Sequence, residues 1–369
     1  MSVYDIAIIG AGIAGASLAA MLPAEMRAIL LEAEDHPGVH STGRSAAFWS
    51  ETYGGPSIQP LTSASKAFLE APPSGFSETG FLSPRGALHL GTSSDAASAN
   101  AMLSEFSGSP VRLDQLIDAD IEKFVTGRKP GWNVALWEPD CCDIDVGGLH
   151  GKYLAQARRH GVDLACRSRV HLLQWRQGRW LVETQTGSFE ARLVVNAAGA
   201  WADEIALLAG VHTAGIQPYR RTIMQLAVNP PAVETLPLVV GLDGSFYFKP
   251  EAGGKLWLSP HDEIATPPCD AAPEEIDVAT AIARFEEVVD WQIVKLERKW
   301  AGLRSFAPDR LPVIGRDPAN ENFFWLAGQG GFGIQTAPAV AELSVSLIGG
   351  RKTEISAANP KTYAPDRFS

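Results

Sequence analysis

Two hydrophobic rhythms alternate along the chain. In the first, short unbroken apolar runs lead through small-residue turns into Ala- and Leu-rich helical stretches. Residues 6–9 open this rhythm as a run long enough for a buried strand and too short for a helix. A turn at 10–15 and a helix to about residue 22 follow, and a second apolar strand at 28–31 ends on Glu32. The rhythm returns after residue 145. Residues 147–160 place Leu149, Tyr153, Leu154 and Ala157 on one helical face. Strands are expected at 162–166, 170–175 and 180–183, with a hairpin turn at 176–179 joining the last two. A buried strand at 193–196 then leads through Ala197-Ala198-Gly199 into a helix from Ala200. The rhythm's last return brings a turn-rich strand pair at 300–315, an apolar strand at 322–327 and a glycine-rich turn feeding a helix.

The second rhythm is looser or strictly alternating. It predicts helices at 63–69 and 93–104 with strands at 87–90 and 133–137, then strands at 221–228, 245–248 and 255–258 and a long helix at 273–289. The expected fold is α/β with an α+β second domain. A discontinuous Rossmann-like domain takes residues 1–56, 145–215 and 299–369, and a sheet-based substrate domain takes 57–144 and 216–298.

The opening unit carries chemistry. Strand, Gly10-Ala11-Gly12-Ile13-Ala14-Gly15, helix, strand and acid fall in the order that binds a dinucleotide. Gly10 allows the tight turn, Gly12 lets backbone amides approach a pyrophosphate, and Gly15 lets helix and strand pack closely. The helix N-terminus offers unpaired N–H groups to phosphates. Glu32, twenty residues past Gly12, can accept hydrogen bonds from ribose hydroxyls. The small residues Ser41, Thr42, Gly43, Ser45, Ala46 and Ala47 leave room for a flat ligand beyond the second strand. This unit alone leaves open which dinucleotide binds.

Composition narrows the class. A chain of 369 residues can bury a large core in about two domains, and 46% hydrophobic with 20% charged residues is ordinary for a globular protein. A net charge of −11 argues against a nucleic-acid or anionic-membrane partner. Cys141, Cys142, Cys166 and Cys269 show neither zinc spacing nor a CxxC pair, so free thiols in a reducing compartment are expected and no metal site. No run reaches membrane-spanning length, and the N-terminal apolar stretch lacks a basic leader and carries Asp5, so a cytoplasmic location is expected.

Five segments together carry a family resemblance. DIAIIGAGIAGAS at the N-terminus, HSTGRSAA, LVVNAAGAWAD, WAGLRSF and GQGGFGIQTAPA resemble, in order, the D-amino-acid oxidase superfamily of flavoproteins, above all bacterial D-arginine dehydrogenase and its relatives. The resemblance spans nearly the whole chain. It implies non-covalent FAD and oxidation of a D-amino acid to an imino acid that water hydrolyses to a keto acid and ammonia. It places FAD on Gly10, Gly12, Ile13, Ala14 and Gly15, with Glu32 and Ala33 at the adenosine ribose. His40, Ser41, Thr42, Gly43, Arg44, Ser45, Ala46 and Ala47 line the pyrophosphate and flavin side. Val170 meets the adenine, Ala198 and Gly199 border the cofactor, and Gly330, Gly331, Phe332, Gly333, Ile334, Gln335 and Thr336 cover the flavin's pyrimidine end.

On the substrate side the resemblance implies Tyr53, Arg221, Tyr247, Arg304, Gly331 and Gln335. A guanidinium suits a carboxylate better than an ammonium does. Arg221 is therefore expected as the carboxylate fork, with Tyr247 adding a hydrogen bond, Arg304 a second positive contact, the Gly331 carbonyl orienting the amine and Tyr53 bridging substrate and water. Removing Arg221 is expected to cost about 2–5 kcal/mol. No protein base is assigned, because hydride loss needs only a neutral, well-positioned amine. Phe48 stands where D-arginine dehydrogenase has a histidine, Ala87 where it has the glutamate that receives a basic side chain, and Leu238 where it has a methionine. Neutral or apolar substrates are thus expected over D-Arg and D-Lys, with His89 able to add a polar group to the same strand. Two further readings concern other substrates or none: a flavin enzyme for a secondary or N-substituted amine, and a non-catalytic FAD-binding subunit. An NAD-linked dehydrogenase leaves the HSTGRSAA and GQGGFGIQT segments without a role. The electron acceptor is open.

Overall fold

The computed structural model describes residues 3–350, 355 and 358–368. An eight-stranded sheet forms around the opening strand Val3–Ile9, which pairs in parallel with Ala28–Leu31 on one side and Gly187–Asn196 on the other. Ile6 and Ile8 join a core with the helices Ile13–Met21, Val146–Arg159 and Ala337–Ile348. Ala7 and Ile9 face the opposite core, with Val194, Ile205 and Trp325. Both faces are covered, which is why this strand reads as an unbroken apolar run. The helix Ile13–Met21 packs on the strand through Gly15, whose added Cβ would sit 1.9 Å from the Gly10 carbonyl oxygen.

The hairpin Val170–Arg176 and Arg179–Thr184 extends this sheet, its turn made by Gln177 and Gly178, both with positive φ as a tight right-twisting hairpin requires. On the same side of Gly187–Asn196 as the hairpin, but at its carboxyl end, Phe323–Ala327 pairs with it in parallel, and Val313–Arg316 pairs antiparallel with Phe323–Ala327.

A nine-stranded sheet holds the looser segments. Its longest pairing is antiparallel, between Gln217–Asn229 and Gln292–Phe306, running from Gln217 opposite Phe306 to Asn229 opposite Gln292. The helix Glu275–Val288 covers one face through Val278, Ala281 and Phe285 against Leu226, Phe248 and Leu258. The expected strand pair at 300–315 is corrected here. Its first half is the end of the strand Gln292–Phe306, its second half, Val313–Arg316, belongs to the other sheet, and the expected boundary before residue 299 falls inside a continuous strand. Residues 292–299 are largely exposed and charged, so they carried no buried-strand signal. Leu238–Gly241, between Ala87–Gly91 and Tyr247–Glu251, is a strand the periodicity did not predict. The helix expected at 63–69 starts earlier, at Gln59, with a proline in its first turn. Among the described residues, no helix is long and apolar enough to cross a membrane, and all four cysteines are free thiols.

Candidate active site

The two sheets meet over two adjoining pockets. The larger, about 1390 Å³ counting space open to solvent, lies beyond the carboxyl end of the opening strand. Gly10, at φ +103°, makes the turn, and an added Cβ would meet the Ala197 carbonyl oxygen at 2.4 Å. The helix that follows begins at Ile13 with no side-chain cap. The Ala11 amide donates to Glu32 Oε2 at 3.0 Å and the Ile13 amide to Thr42 Oγ1 at 3.0 Å. Ile13 thus lines the pocket, yet its amide is not free for a ligand as the loop spacing implied. Among the described residues no acceptor takes the amides of Gly12, Ala14 and Gly15, which is the arrangement that receives a diphosphate. Glu32 is buried, and its Oε1 also accepts from the Glu34 amide, so the carboxylate is fixed before any ribose arrives.

Of the residues expected at the cofactor, Gly10, Gly12, Ile13, Ala14, Glu32, Ala33, His40, Ser41, Thr42, Ser45, Val170, Ala198, Gly199, Gly330, Gly331, Gly333 and Ile334 line this pocket. Others stand back from it, each for a local reason. Gly15 seats the helix on its strand, and Gly43 packs its Cα against the Gly38 carbonyl. Arg44 reaches away to the carbonyls of Ala271 and Ala301 and to Asp270, tying the loop to the second sheet. Phe332 packs edge-on against Tyr53 and Phe306, and the Thr336 hydroxyl donates to the Phe332 carbonyl. Ala46, Ala47 and Gln335 line the second pocket instead. Trp201, 4.8 Å from the His40 ring, and Gln329 are lining residues that the motif reading passed over, although each lies within a matched segment. The long cleft, its unclaimed helix-end amides and the preset Glu32 fit FAD.

The second pocket, about 350 Å³, shares Ser45, Arg304, Gly331 and Ile334 with the first. Tyr53, Arg221, Tyr247, Arg304, Gly331, Gln335 and Phe48 come together around it from segments far apart in sequence. Gly331 lets the Tyr53 hydroxyl approach closely, since a Cβ there would stand 2.1 Å from it. Ala87, Leu238 and His89 do not line it. Ala87 and Leu238 sit opposite each other on adjacent parallel strands, buried with Ala46, Ile223 and Tyr247 behind the pocket wall. His89 is neither a pocket group nor a solvent group: its Nε2 lies 3.2 Å from the buried Glu138 carboxylate.

Charge is distributed unevenly across this pocket. The buried Arg221 donates through Nε to the Asp262 carbonyl at 2.7 Å and through Nη2 to Glu263 Oε1 at 3.1 Å. The Nε–Nη2 edge of the guanidinium expected as the carboxylate fork is therefore already engaged. Arg304, also buried, makes one long bond to the Leu303 carbonyl at 3.4 Å, and no carboxylate among the described residues lies within 4.0 Å of it. Burial first, and the neighbouring Arg221 second, lower its basicity. Burial raises the Tyr247 hydroxyl against the pull of both arginines, keeping it a donor. His261 was missed altogether. Its ring is 5.7 Å from Tyr247 and 6.5 Å from Tyr53, and burial, reinforced by Arg221, lowers it to about 3. In sequence it is one residue of a polar turn, with no signal to mark it.

The loop carrying Tyr53 is clamped from two sides. Glu138 accepts from the Ser50 hydroxyl at 2.9 Å, the Glu51 amide at 2.8 Å and the Thr52 hydroxyl at 2.8 Å. Burial alone would raise this carboxyl, but the bonds from His89, Thr52 and Ser50 hold it below its usual value. The Gln335 amide donates to the carbonyls of Ser50 and Tyr53 and to Thr62 Oγ1, so its role at this site is to hold that loop.

Known proteins resemble this chain in sequence over part of its length and in fold over nearly all of it. Glycine oxidase of Pseudomonas aeruginosa is 30% identical over 187 residues, covering 50% of this chain and 48% of that protein. Mitochondrial dimethylglycine dehydrogenase of Rattus norvegicus is 27% identical over 234 residues, covering 56% of this chain and 26% of that protein. The chain thus spans half or less of the length of these curated relatives. In fold, the L-proline dehydrogenase of P. horikoshii superposes with a TM-score of 0.86 at 23% identity, covering 99% of this chain and 97% of that one. The family model for FAD dependent oxidoreductases of the DAO type matches residues 5–347, and the chain belongs to that family.

Proposed function

We propose that this protein oxidises a small, neutral α-amino acid with a single carboxylate at its α-carbon–nitrogen bond. The observation that carries the reading is the second pocket. Two buried guanidiniums and a protonated tyrosine face a small space that has no carboxylate in its lining and opens onto the cofactor cleft. Arg304 is the carboxylate fork in this reading, with Tyr247 donating a further bond and Arg221 contributing its field. A cationic side chain would meet two arginines and no counter-charge, so D-Arg and D-Lys are poor substrates. This disfavour no longer rests on Ala87, which is buried behind the wall.

Bound FAD supplies the hydride acceptor. The protein's own part is to fix the carboxylate, to aim the α-carbon at the cofactor cleft through the Gly331 and Tyr53 contact, and to keep the amine unprotonated. No Asp, Glu, Lys or His lines the second pocket, so the amine enters neutral or loses its proton to solvent. The D-configuration is the first candidate, on the strength of the HSTGRSAA and WAGLRSF segments. Secondary or N-substituted amines form the second reading, favoured by the likeness to dimethylglycine dehydrogenase and L-proline dehydrogenase. Both use the same carboxylate site. Product analysis separates them: ammonia supports a primary amine substrate, and release of a primary amine supports an N-alkyl one.

A further inference from the structure

We propose that Glu263 sets the charge of the substrate pocket and so makes it select against a second carboxylate on the substrate. The inference rests on the amino-acid reading of the second pocket. Arg221 and Arg304 both line that pocket, and none of its lining residues is acidic. One of the two positive charges is answered from behind: Glu263 Oε1 takes Arg221 Nη2 at 3.1 Å. Glu263 is itself held from outside by Arg310, whose Nη2 lies 2.8 and 2.9 Å from its two carboxylate oxygens. The Arg310 guanidinium stacks 3.9 Å over the Phe306 ring, which fixes this outer clamp to the end of the long strand.

The neighbouring charges do not do the same work. Asp262 bonds Arg221 directly only through its carbonyl; its carboxylate accepts from the Thr222 amide at 2.7 Å and hydroxyl at 2.9 Å, and acts on Arg221 and Arg304 through space without pairing with either. Arg220 pairs with Glu274 and Asp277. His261, beside Tyr247, is uncharged at neutral pH because burial and Arg221 disfavour its protonated form. Arg304 is left as the lining guanidinium with no carboxylate bonded to it among the described residues, and it matches one carboxylate. Glu263 lies outside the pocket lining and its side chain is one-third exposed, so changing it leaves the pocket wall in place.

Neutralising Glu263 would free the second positive charge, and a dicarboxylate would then be the better match. The test uses the FAD-loaded protein and its Glu263→Gln and Glu263→Ala variants. Calorimetry measures the binding of acetate and malonate, and flavin reduction measures kcat/KM for alanine and aspartate in both configurations. In both variants the malonate-to-acetate affinity ratio and the aspartate-to-alanine rate ratio rise on the order of ten-fold, and the rise shrinks in high salt. A purely structural role for Glu263 would lower all four values together and leave the ratios unchanged, which overturns the proposal. A wild-type protein that already prefers malonate and aspartate overturns it too. If no amino acid reduces the flavin, the amino-acid reading fails while the malonate-to-acetate ratio still decides the role of Glu263.

Discussion

At the scale of single residues, the two arginines divide the work. Arg221 has carbonyl and carboxylate partners within the protein, whereas Arg304 is buried with only a distant carbonyl. Replacing Arg304 by alanine is expected to cost about 2–5 kcal/mol in kcat/KM, the range for removing one partner of a buried hydrogen-bonded charge pair. Lysine at the same position should recover little, because an ammonium cannot make the paired bonds of a guanidinium. Steady-state kinetics on both variants, with flavin content measured as a control, checks this. His261 gives a second residue-level prediction. Its folded form takes up a proton only near pH 3, while an unfolded histidine does so near 6.5. Between those values the unfolded chain holds the extra proton, so acidification favours unfolding. Melting temperatures of the wild type should therefore fall more steeply from pH 6.5 towards 3 than those of His261→Gln.

At the scale of elements, what the sequence made legible depended on how many faces were buried. The strands at residues 6–9, 28–31 and 193–196 are covered on both sides and read directly as apolar runs. The first half of Gln292–Phe306 is an exposed edge rich in Lys, Glu and Arg, and its pattern concealed a strand that spans the sheet. Seven residues that the family resemblance named line one pocket, but the resemblance could not separate the lining from the layer behind it. Ala87 and Leu238 are apolar in either place, and only the parallel pairing of their strands shows that they back the wall. His89 and Glu138 are similar: each is a polar residue on a strand, and nothing in the spacing says they pair. Their function is at the level of the loop, since Glu138 anchors Ser50, Glu51 and Thr52 just ahead of Tyr53. Glu138→Ala should lower stability on the order of 3 kcal/mol by leaving these donors unanswered. It should also raise KM more than it lowers kcat, through a loosened Tyr53. Denaturant unfolding and substrate kinetics read the two effects separately, and Gln335→Ala should shift KM in the same direction.

At the scale of the whole molecule, the cofactor cleft lies at the carboxyl end of the first sheet, and the second sheet contributes Arg221, Tyr247 and Arg304 to the pocket proposed to choose the substrate. Ser45, Arg304, Gly331 and Ile334 line both, so in the proposed reading the reacting carbon and the cofactor meet there. The glycine motif, its free helix-end amides and Glu32 would secure the distant end of the cofactor, and none of them lines the second pocket. In the proposed reading, selection rests instead on a small space lined by Arg221, Arg304, Tyr53 and Tyr247, in which Arg304 has no carboxylate bonded to it among the described residues. Anaerobic reduction of the bound flavin by a panel of D-, L- and N-methyl amino acids tests this most directly. Small neutral amino acids should bleach the flavin absorbance, with D-Arg and D-Lys reducing it far more slowly. A flavin that no amino acid reduces, or one that D-Arg reduces with the highest kcat/KM, would contradict the account.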